Sequence, residues 1–180
     1  GGVHRGQRFD ISADLDELAR RPLIVVCAGA KSILDLPATL EALETRGIPV
    51  LGYRTDEFPA FYSRSSGLRV DATIDSPDEA AHIARAHWSA GNHSSVLVCN
   101  PLPEGESLDA EEINKSIERA GVEAEVLGIG GAELTPFLLQ NLNQSTKGKS
   151  LQANLALLKS NARLAAQIAG CLAKPQTQNL

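Results

Sequence analysis

The stretch that decides the fold reads Leu23-Ile-Val-Val-Cys-Ala-Gly-Ala-Lys-Ser-Ile-Leu-Asp35. The apolar, β-branched run Leu23 to Val26 predicts a buried strand, and the residues after Lys31 predict a helix. Lys31 is then placed at the carboxyl end of a strand and the mouth of a helix, where open α/β sheets bind ligands. Burial and the positive helix N-terminus both disfavour an ammonium group there, and so favour the neutral amine that attacks carbonyl carbons. The alternative is a solvated lysine in a first helical turn.

Strands and helices alternate along the rest of the chain, which predicts an α/β fold. The helix after Lys31 should run to Gly47 and be split at Pro37, so that residues 23–53 form a parallel βαβ unit. Further strands are predicted at 68–74 and 94–100. Further helices are predicted from Ser76 to about residue 90, over 108–120 with Gly121 as its end, from Thr135 as N-cap, and over 150–171.

Composition narrows the class of protein. The 180 residues are 43% apolar and 22% charged, with a net charge of −5, as expected for one globular domain. No Lys/Arg cluster interleaves with aromatic residues, so we expect no nucleic-acid partner, and no apolar run is long enough to span a membrane. The three cysteines lack metal-ligand spacing, which indicates reduced thiols and a cytoplasmic protein.

The two ends of the sequence have distinct character. The chain begins with the glycine-rich loop Gly1-Gly-Val-His-Arg-Gly6 and contains no methionine, which indicates a truncated chain. His4 either contacts a ligand or lies on the surface. Residues 1–173 are predicted to form one incomplete domain, and 174–180 a disordered tail.

Two carboxylates flank a predicted helix start. Ser12 or Asp10 is the expected N-cap of a helix over residues 13–20. Asp10 and Asp14 lie one turn apart, and such a pair can hold a hard cation, usually with several waters. The alternative is that Ser12 caps the helix and that the acidic residues in its first turn are stabilised by the helix dipole.

Three further features leave alternatives open. The loop 54–67 carries Phe58, Phe61 and Tyr62, which either cover a site or pack on the core. Asn100 follows a strand and should approach the same crevice as Lys31. Asn154 and Asn161 lie two helical turns apart and share a face, where they serve either a structural network or ligand contact.

Several motifs together resemble one family, the pseudouridine-5′-phosphate glycosidases, which include the indigoidine synthase A-like proteins. The motifs fall in family order over nearly the whole chain. They are Gly1-Gly-Val-His-Arg-Gly6, Phe9-Asp-Ile-Ser-Ala-Asp-Leu15, Val25-Val-Cys-Ala-Gly-Ala-Lys-Ser-Ile-Leu-Asp35, Ala90-Gly91, Val98-Cys-Asn-Pro-Leu-Pro-Glu104, Leu134-Thr-Pro-Phe-Leu-Leu139 and Ser150-Leu-Gln-Ala-Asn154.

The resemblance implies a three-layer α/β/α fold with a mixed sheet, and a homotrimer. It implies that Lys31 forms a Schiff base with the sugar and that Asp10 is a ligand of Mn²⁺. Ser12, Ala13, Asp14 and Asn154 match substrate-binding positions, and we group His4 with them. The family's glutamate proton donor and second lysine precede the glycine loop and have no counterpart in this sequence.

The activity implied is reversible cleavage of pseudouridine 5′-phosphate to uracil and ribose 5-phosphate. A C-glycoside has no exocyclic oxygen to protonate, so the usual two-carboxylate route is closed and a lysine imine can serve as the electron sink. Two alternatives remain. The chain could be another Schiff-base lyase acting on sugar phosphates, or an inactive truncated chain that acts only as an assembly partner.

Overall fold

The computed structural model describes residues 1–4, 11–31, 33–129 and 133–174. Its strands are β1 (Val3–His4), β2 (Ile24–Cys27), β3 (Leu34–Asp35), β4 (Val50–Tyr53), β5 (Ala72–Ile74) and β6 (Val96–Cys99). Its helices are α1 (Ala13–Arg20), α2 (Leu36–Thr45), α3 (Pro77–Ser89), α4 (Ala110–Leu127), α5 (Leu134–Ser145) and α6 (Lys149–Leu172). None of the helices in these ranges is long and apolar enough to cross a membrane.

The main sheet is parallel and has the strand order β2-β6-β4-β5. The predicted βαβ unit is present, and β6 lies between its two strands. Among the described residues, antiparallel pairing occurs outside the main sheet, in the pair formed by β1 and β3 and in isolated bridges. Parallel strands place their carboxyl ends at one edge, so the segments after β2 and β6 start from the same side of the molecule.

Two apolar cores lie on opposite faces of the sheet, which gives the three predicted layers. One core joins the sheet to α1, α2, α4, α5 and the first half of α6, with Leu43, Phe58 and Leu157 at its centre. The other joins the sheet to α3 and the second half of α6 through residues such as Val98 and Leu164. The fold is therefore a single α/β domain, and α6 contributes to both cores.

Two predicted helix starts are confirmed by their capping bonds. Ser12 caps α1, with its side chain accepting a hydrogen bond from the Asp14 N–H. Ser76 caps α3 by accepting from the Glu79 N–H, and its hydroxyl donates to the Glu79 carboxylate. A capping side chain and its target are close in sequence, so these starts can be predicted from local sequence alone.

The prediction of a helix directly after Lys31 is wrong. Residues 34–35 instead form β3, and α2 begins at Leu36 with the Asp35 carboxylate accepting from the Ala38 N–H at 2.9 Å. Pro37 lies in the first turn of α2 and does not split a helix, because proline needs no N–H partner there.

Three other predicted bounds change. Helix α4 continues through Gly121 and ends at Gly128, which adopts the left-handed conformation at φ 68°. Strand β5 is shorter than predicted. Helix α5 begins at Leu134, one residue before the predicted cap Thr135.

Strand β2 is half-buried along its whole length and Leu23 is 51% exposed, so the prediction of a buried strand holds only in part.

Candidate functional site

Lys31 lies four residues beyond the end of β2, and its half-buried side chain lines a cavity of about 360 Å³. Ser12, Phe61 and Asn161 line the same cavity, together with Gly2 and the backbone of residues 26–30. The prediction that the carboxyl end of β2 borders a ligand-sized space is consistent with this position. We refer to this space as the Lys31 cavity.

A tight turn fixes the approach to Lys31. Gly29 has φ 75°, and a Cβ at this position would lie 1.7 Å from the Pro59 carbonyl oxygen. The Phe61 N–H donates to the Ala28 carbonyl at 3.1 Å, and so ties this turn to the aromatic loop. Only glycine fits both the left-handed backbone and the close approach.

Lys31 does not stand at a helix N-terminus, because α2 begins five residues later at Leu36. The helix-dipole argument for a neutral amine at this position is therefore wrong. The Leu34 N–H donates to the Lys31 carbonyl at 2.9 Å, which closes a turn in place of the expected helix. The Lys31 side chain is positioned instead by the aromatic loop.

Some aromatic residues of loop 54–67 pack on the core, and another covers the cavity. Phe58 and Tyr62 are buried in the core, at 1% and 6% exposure. Phe61 is half-buried, and its ring centroid lies 5.8 Å from Lys31 Nζ, within the range of a cation–π contact. The Tyr62 and Phe61 rings form a T-shaped pair with 4.8 Å between centroids. Phe61 therefore covers the lysine, and its neighbours anchor it.

Of the segment Ser12–Asp14, only Ser12 lines the Lys31 cavity. The Ser12 N–H donates to the Gly2 carbonyl at 2.9 Å. Ala13 and Asp14 are exposed in the first turn of α1 and are not among the residues that line the cavity. The Gly1 amino group donates to the Asp14 carboxylate and, with the Ser12 hydroxyl, holds the pKa of that carboxyl below its usual value.

An asparagine that follows β6 is hydrogen-bonded to α6 beside the cavity. Asn100 directly follows β6 and is buried, and its side-chain amide donates to Asn161 Oδ1 at 3.0 Å and to Ser160 Oγ at 2.9 Å. Asn161 lines the Lys31 cavity, which confirms that Asn100 lies near this crevice. Asn154 is half-buried two turns earlier on α6 and does not line the cavity. Its role in substrate binding stays a prediction, and the spacing alone could not choose between Asn154 and Asn161.

Two thiols lie side by side on neighbouring strands, and one of them, Cys27, lines the cavity. Cys27 and Cys99 are register partners on the neighbouring strands β2 and β6. The Cys99 thiol donates a hydrogen bond to Cys27, which lowers the pKa of Cys27 and raises that of Cys99. All three cysteines are unbridged, as expected for reduced thiols. Strand register brings together residues that sequence spacing separates.

The predicted metal position cannot be placed, since Asp10 lies outside the described residues. His4 forms part of β1, and nothing further is described of its side chain. In the part of the chain that the structure describes, no three His, Cys, Asp or Glu residues cluster as a metal site would require. The described residues therefore do not by themselves form a Mn²⁺ site.

A second, apolar space lies beside the first. It has a volume of about 320 Å³ and runs between α1 and the outer part of β2, and we call it the β2 groove. Leu15, Leu18, Leu23 and Val25 line it, and so does Gly1. Cys27 and Gly29 line both spaces, so the β2 groove and the Lys31 cavity are neighbours.

Comparisons with known proteins give matches over nearly the whole chain. The profile of the family "Indigoidine synthase A like protein" matches residues 1–171. A protein of Caldanaerobacter subterraneus named pseudouridine-5′-phosphate glycosidase is 56% identical over 171 residues, which are 94% of this chain and 56% of that protein. A protein of Geobacillus kaustophilus with the same name is also 56% identical, over 94% of this chain and 57% of its own length.

Two solved structures share the fold. A prealnumycin C-glycosynthase in complex with ribulose 5-phosphate superposes with a TM-score of 0.90 at 37% identity, over 96% of this chain and 57% of that one. An indigoidine synthase A-like protein of Thermotoga maritima gives a TM-score of 0.85 at 43% identity, over 94% and 56%. The chain thus spans about half the length of the relatives it matches, and corresponds to their C-terminal portion.

Proposed function

Because the chain belongs to the indigoidine synthase A-like family, we propose that it supplies the lysine-bearing part of a C-glycosidase site for pseudouridine 5′-phosphate. The products would be uracil and ribose 5-phosphate, and the reaction would be reversible. The observation that carries the proposal is the Lys31 cavity itself. It places one amine beside an aromatic ring, a hydroxyl and an amide, in a space large enough for a sugar phosphate.

The chemistry assigned to Lys31 is covalent catalysis. The neutral amine attacks C1′ of the sugar, and the C1′–O4′ bond breaks as O4′ takes a proton. The nitrogen lone pair then expels the base carbon, which is protonated, and uracil leaves behind a C1′ iminium on Lys31. Water adds to the iminium, releasing ribose 5-phosphate and the free amine. A lysine is suited to this sequence because its nitrogen lone pair supplies the electrons that expel the base carbon, and the nitrogen carries the positive charge of the resulting iminium.

The proposed acid must come from outside the described part of the cavity. Ser12 and Asn161 can hydrogen-bond the sugar hydroxyls, and Phe61 can keep water from Lys31. None of the described lining residues carries a carboxyl group. This agrees with a glutamate supplied by the portion of the relatives that the chain does not match, since the ring oxygen needs a general acid.

The remaining assignments stay predictions. Asp10 is proposed as a Mn²⁺ ligand acting largely through waters, and the ion would organise substrate and water by charge. Asp14, Ala13, Asn154 and His4 are proposed to contact substrate. The homotrimer would be tested by measuring whether the mass in solution is three times that of one chain.

Two alternative functions are each favoured by one observation. One alternative is an inactive chain that acts only as an assembly partner, and the match to about half the length of the relatives favours it. A different sugar-phosphate reaction is the other alternative, since the structural relative with ribulose 5-phosphate is a C-glycosynthase. A panel of sugar phosphates would separate a lyase of that kind from the proposed glycosidase.

Uracil release tests the proposal. The chain is assayed with pseudouridine 5′-phosphate and Mn²⁺, alone and with the N-terminal portion of the Caldanaerobacter relative, and Lys31→Arg serves as the matched variant. We expect release in at least one wild-type preparation and none with Lys31→Arg, because a guanidinium cannot form the imine. Release that survives the substitution would exclude Lys31 as nucleophile. No release from either wild-type preparation would favour the assembly partner.

A further inference from the structure

Strand β2 has an open edge. The Val96 N–H donates to the Leu23 carbonyl at 2.8 Å, and the Asn100 N–H donates to the Cys27 carbonyl at 2.7 Å. In a parallel ladder alternate residues bond to the same neighbour, so the peptide groups of Ile24 and Val26 point away from β6. No strand among the described residues lies on that side.

The composition of β2 is that of an interior strand. Ile24-Val-Val-Cys27 closely resembles the central strand Val96-Leu-Val-Cys99, yet β6 is fully buried and β2 only half-buried. The opposite edge is different, because β5 is short and exposes Ala72 and Thr73. Natural sheets protect a free edge with charge or proline, and β2 itself contains neither a charged residue nor a proline.

The side chains beside this edge are also uncovered. The β2 groove is lined mainly by apolar residues, and Leu23 at its rim is 51% exposed. A strand added along β2 would place alternate side chains on the same sheet face as Val25, which faces the groove. The edge and the groove therefore suit one occupant, an extended segment with apolar residues at every second position.

We propose that the open edge of β2 and the β2 groove receive a β-strand from the N-terminal portion that the relatives have and this chain does not match. Gly1, where the family match begins, lies at the groove, so the preceding chain of a relative reaches this edge directly. Docking there would also bring the added portion next to the Lys31 cavity, since Cys27 and Gly29 border both spaces. The proposal rests on family membership and backbone geometry, not on the proposed reaction.

The test uses the 180-residue chain and the separately expressed N-terminal portion of the Caldanaerobacter relative. Ile24→Pro removes an outward-facing N–H and leaves the β2–β6 bonds in place, which an edge strand tolerates. The matched control is Thr73→Pro, an exposed position in the strand at the opposite edge. Complex formation is measured by co-elution and by hydrogen exchange at single amides, and each variant's thermal unfolding is recorded.

We expect the wild-type chain and Thr73→Pro to form the complex, and Ile24→Pro to weaken it at least tenfold. In the wild-type complex the amides of Ile24 and Val26 should exchange at least tenfold more slowly, while that of Thr73 is unchanged. Unslowed exchange at Ile24 and Val26 would overturn the proposal even if Ile24→Pro fails to fold. The absence of any complex would also overturn the proposal. Self-association of the chain alone, if Ile24→Pro abolishes it, would overturn it as well, because a second copy would then be the occupant.

Discussion

At the scale of single residues, the position of Lys31 depends on Gly29 more than on any helix. Gly29 bends the chain after β2 with φ 75° and lies directly against Pro59, and the aromatic loop then reaches Lys31 through Phe61. The sequence shows the glycine but not the neighbour that makes it necessary, because Pro59 is thirty residues further along the chain. The left-handed turn also replaces the helix start that the sequence predicts at this point.

Gly29→Ala should destabilise the protein by more than Gly67→Ala. Both glycines have φ 75°, so each substitution pays about 1–2 kcal/mol for a left-handed alanine. Only at Gly29 does the new methyl group meet a neighbour, the Pro59 carbonyl oxygen, and the forced shift adds about 1–3 kcal/mol. The free energy of unfolding, measured with a chemical denaturant, should therefore fall further for Gly29→Ala by at least about 1 kcal/mol. Equal losses for the two variants would contradict the close approach at Pro59.

At the scale of elements, the local capping signals give the starts of α1 and α3 correctly, whereas the ends depend on more distant contacts. Helix α4 passes through Gly121, where a glycine costs about 1 kcal/mol, because Ile117, Ala120 and Ala124 stay buried around it. The prediction stopped the helix at the first glycine, although Gly128 ends it. The alternating burial of α6 between two cores likewise cannot be derived from its own sequence.

Asn100 joins the main sheet to α6, and its loss should lower stability. Asn100→Ala removes the bonds to Ser160 and Asn161 and leaves those groups without this partner, at a cost of about 1–3 kcal/mol. Asn114→Ala on the exposed face of α4 is the control, and its effect should stay within about 0.5 kcal/mol. Thermal or denaturant unfolding measures both variants. An Asn100→Ala protein as stable as the Asn114→Ala protein would show that the hydrogen bonds from Asn100 to α6 do not contribute to stability.

At the scale of the whole molecule, the three layers are expected only from the family resemblance. The α/β class and the place of Lys31 at the edge of a cavity follow from the sequence itself. Each depends on periodicity or on short motifs that survive without tertiary information. The half-buried state of β2 does not follow, since burial is decided by which segments pack beside a strand. The pairing of Asn100 with Asn161 also escapes prediction, because strand order and helix packing bring together residues sixty-one positions apart.

The most direct test of the central claim is borohydride reduction of the chain in the presence of ribose 5-phosphate, with the adduct mapped by mass spectrometry. The experiment is run with the chain alone and with the N-terminal portion of the Caldanaerobacter relative, and Lys31→Arg is the control. We expect a sugar-phosphate adduct on Lys31, at far higher occupancy than on the exposed Lys115 and Lys159, in at least one preparation. Labelling of Lys31 no greater than that of these surface lysines in both preparations would contradict the Schiff-base role.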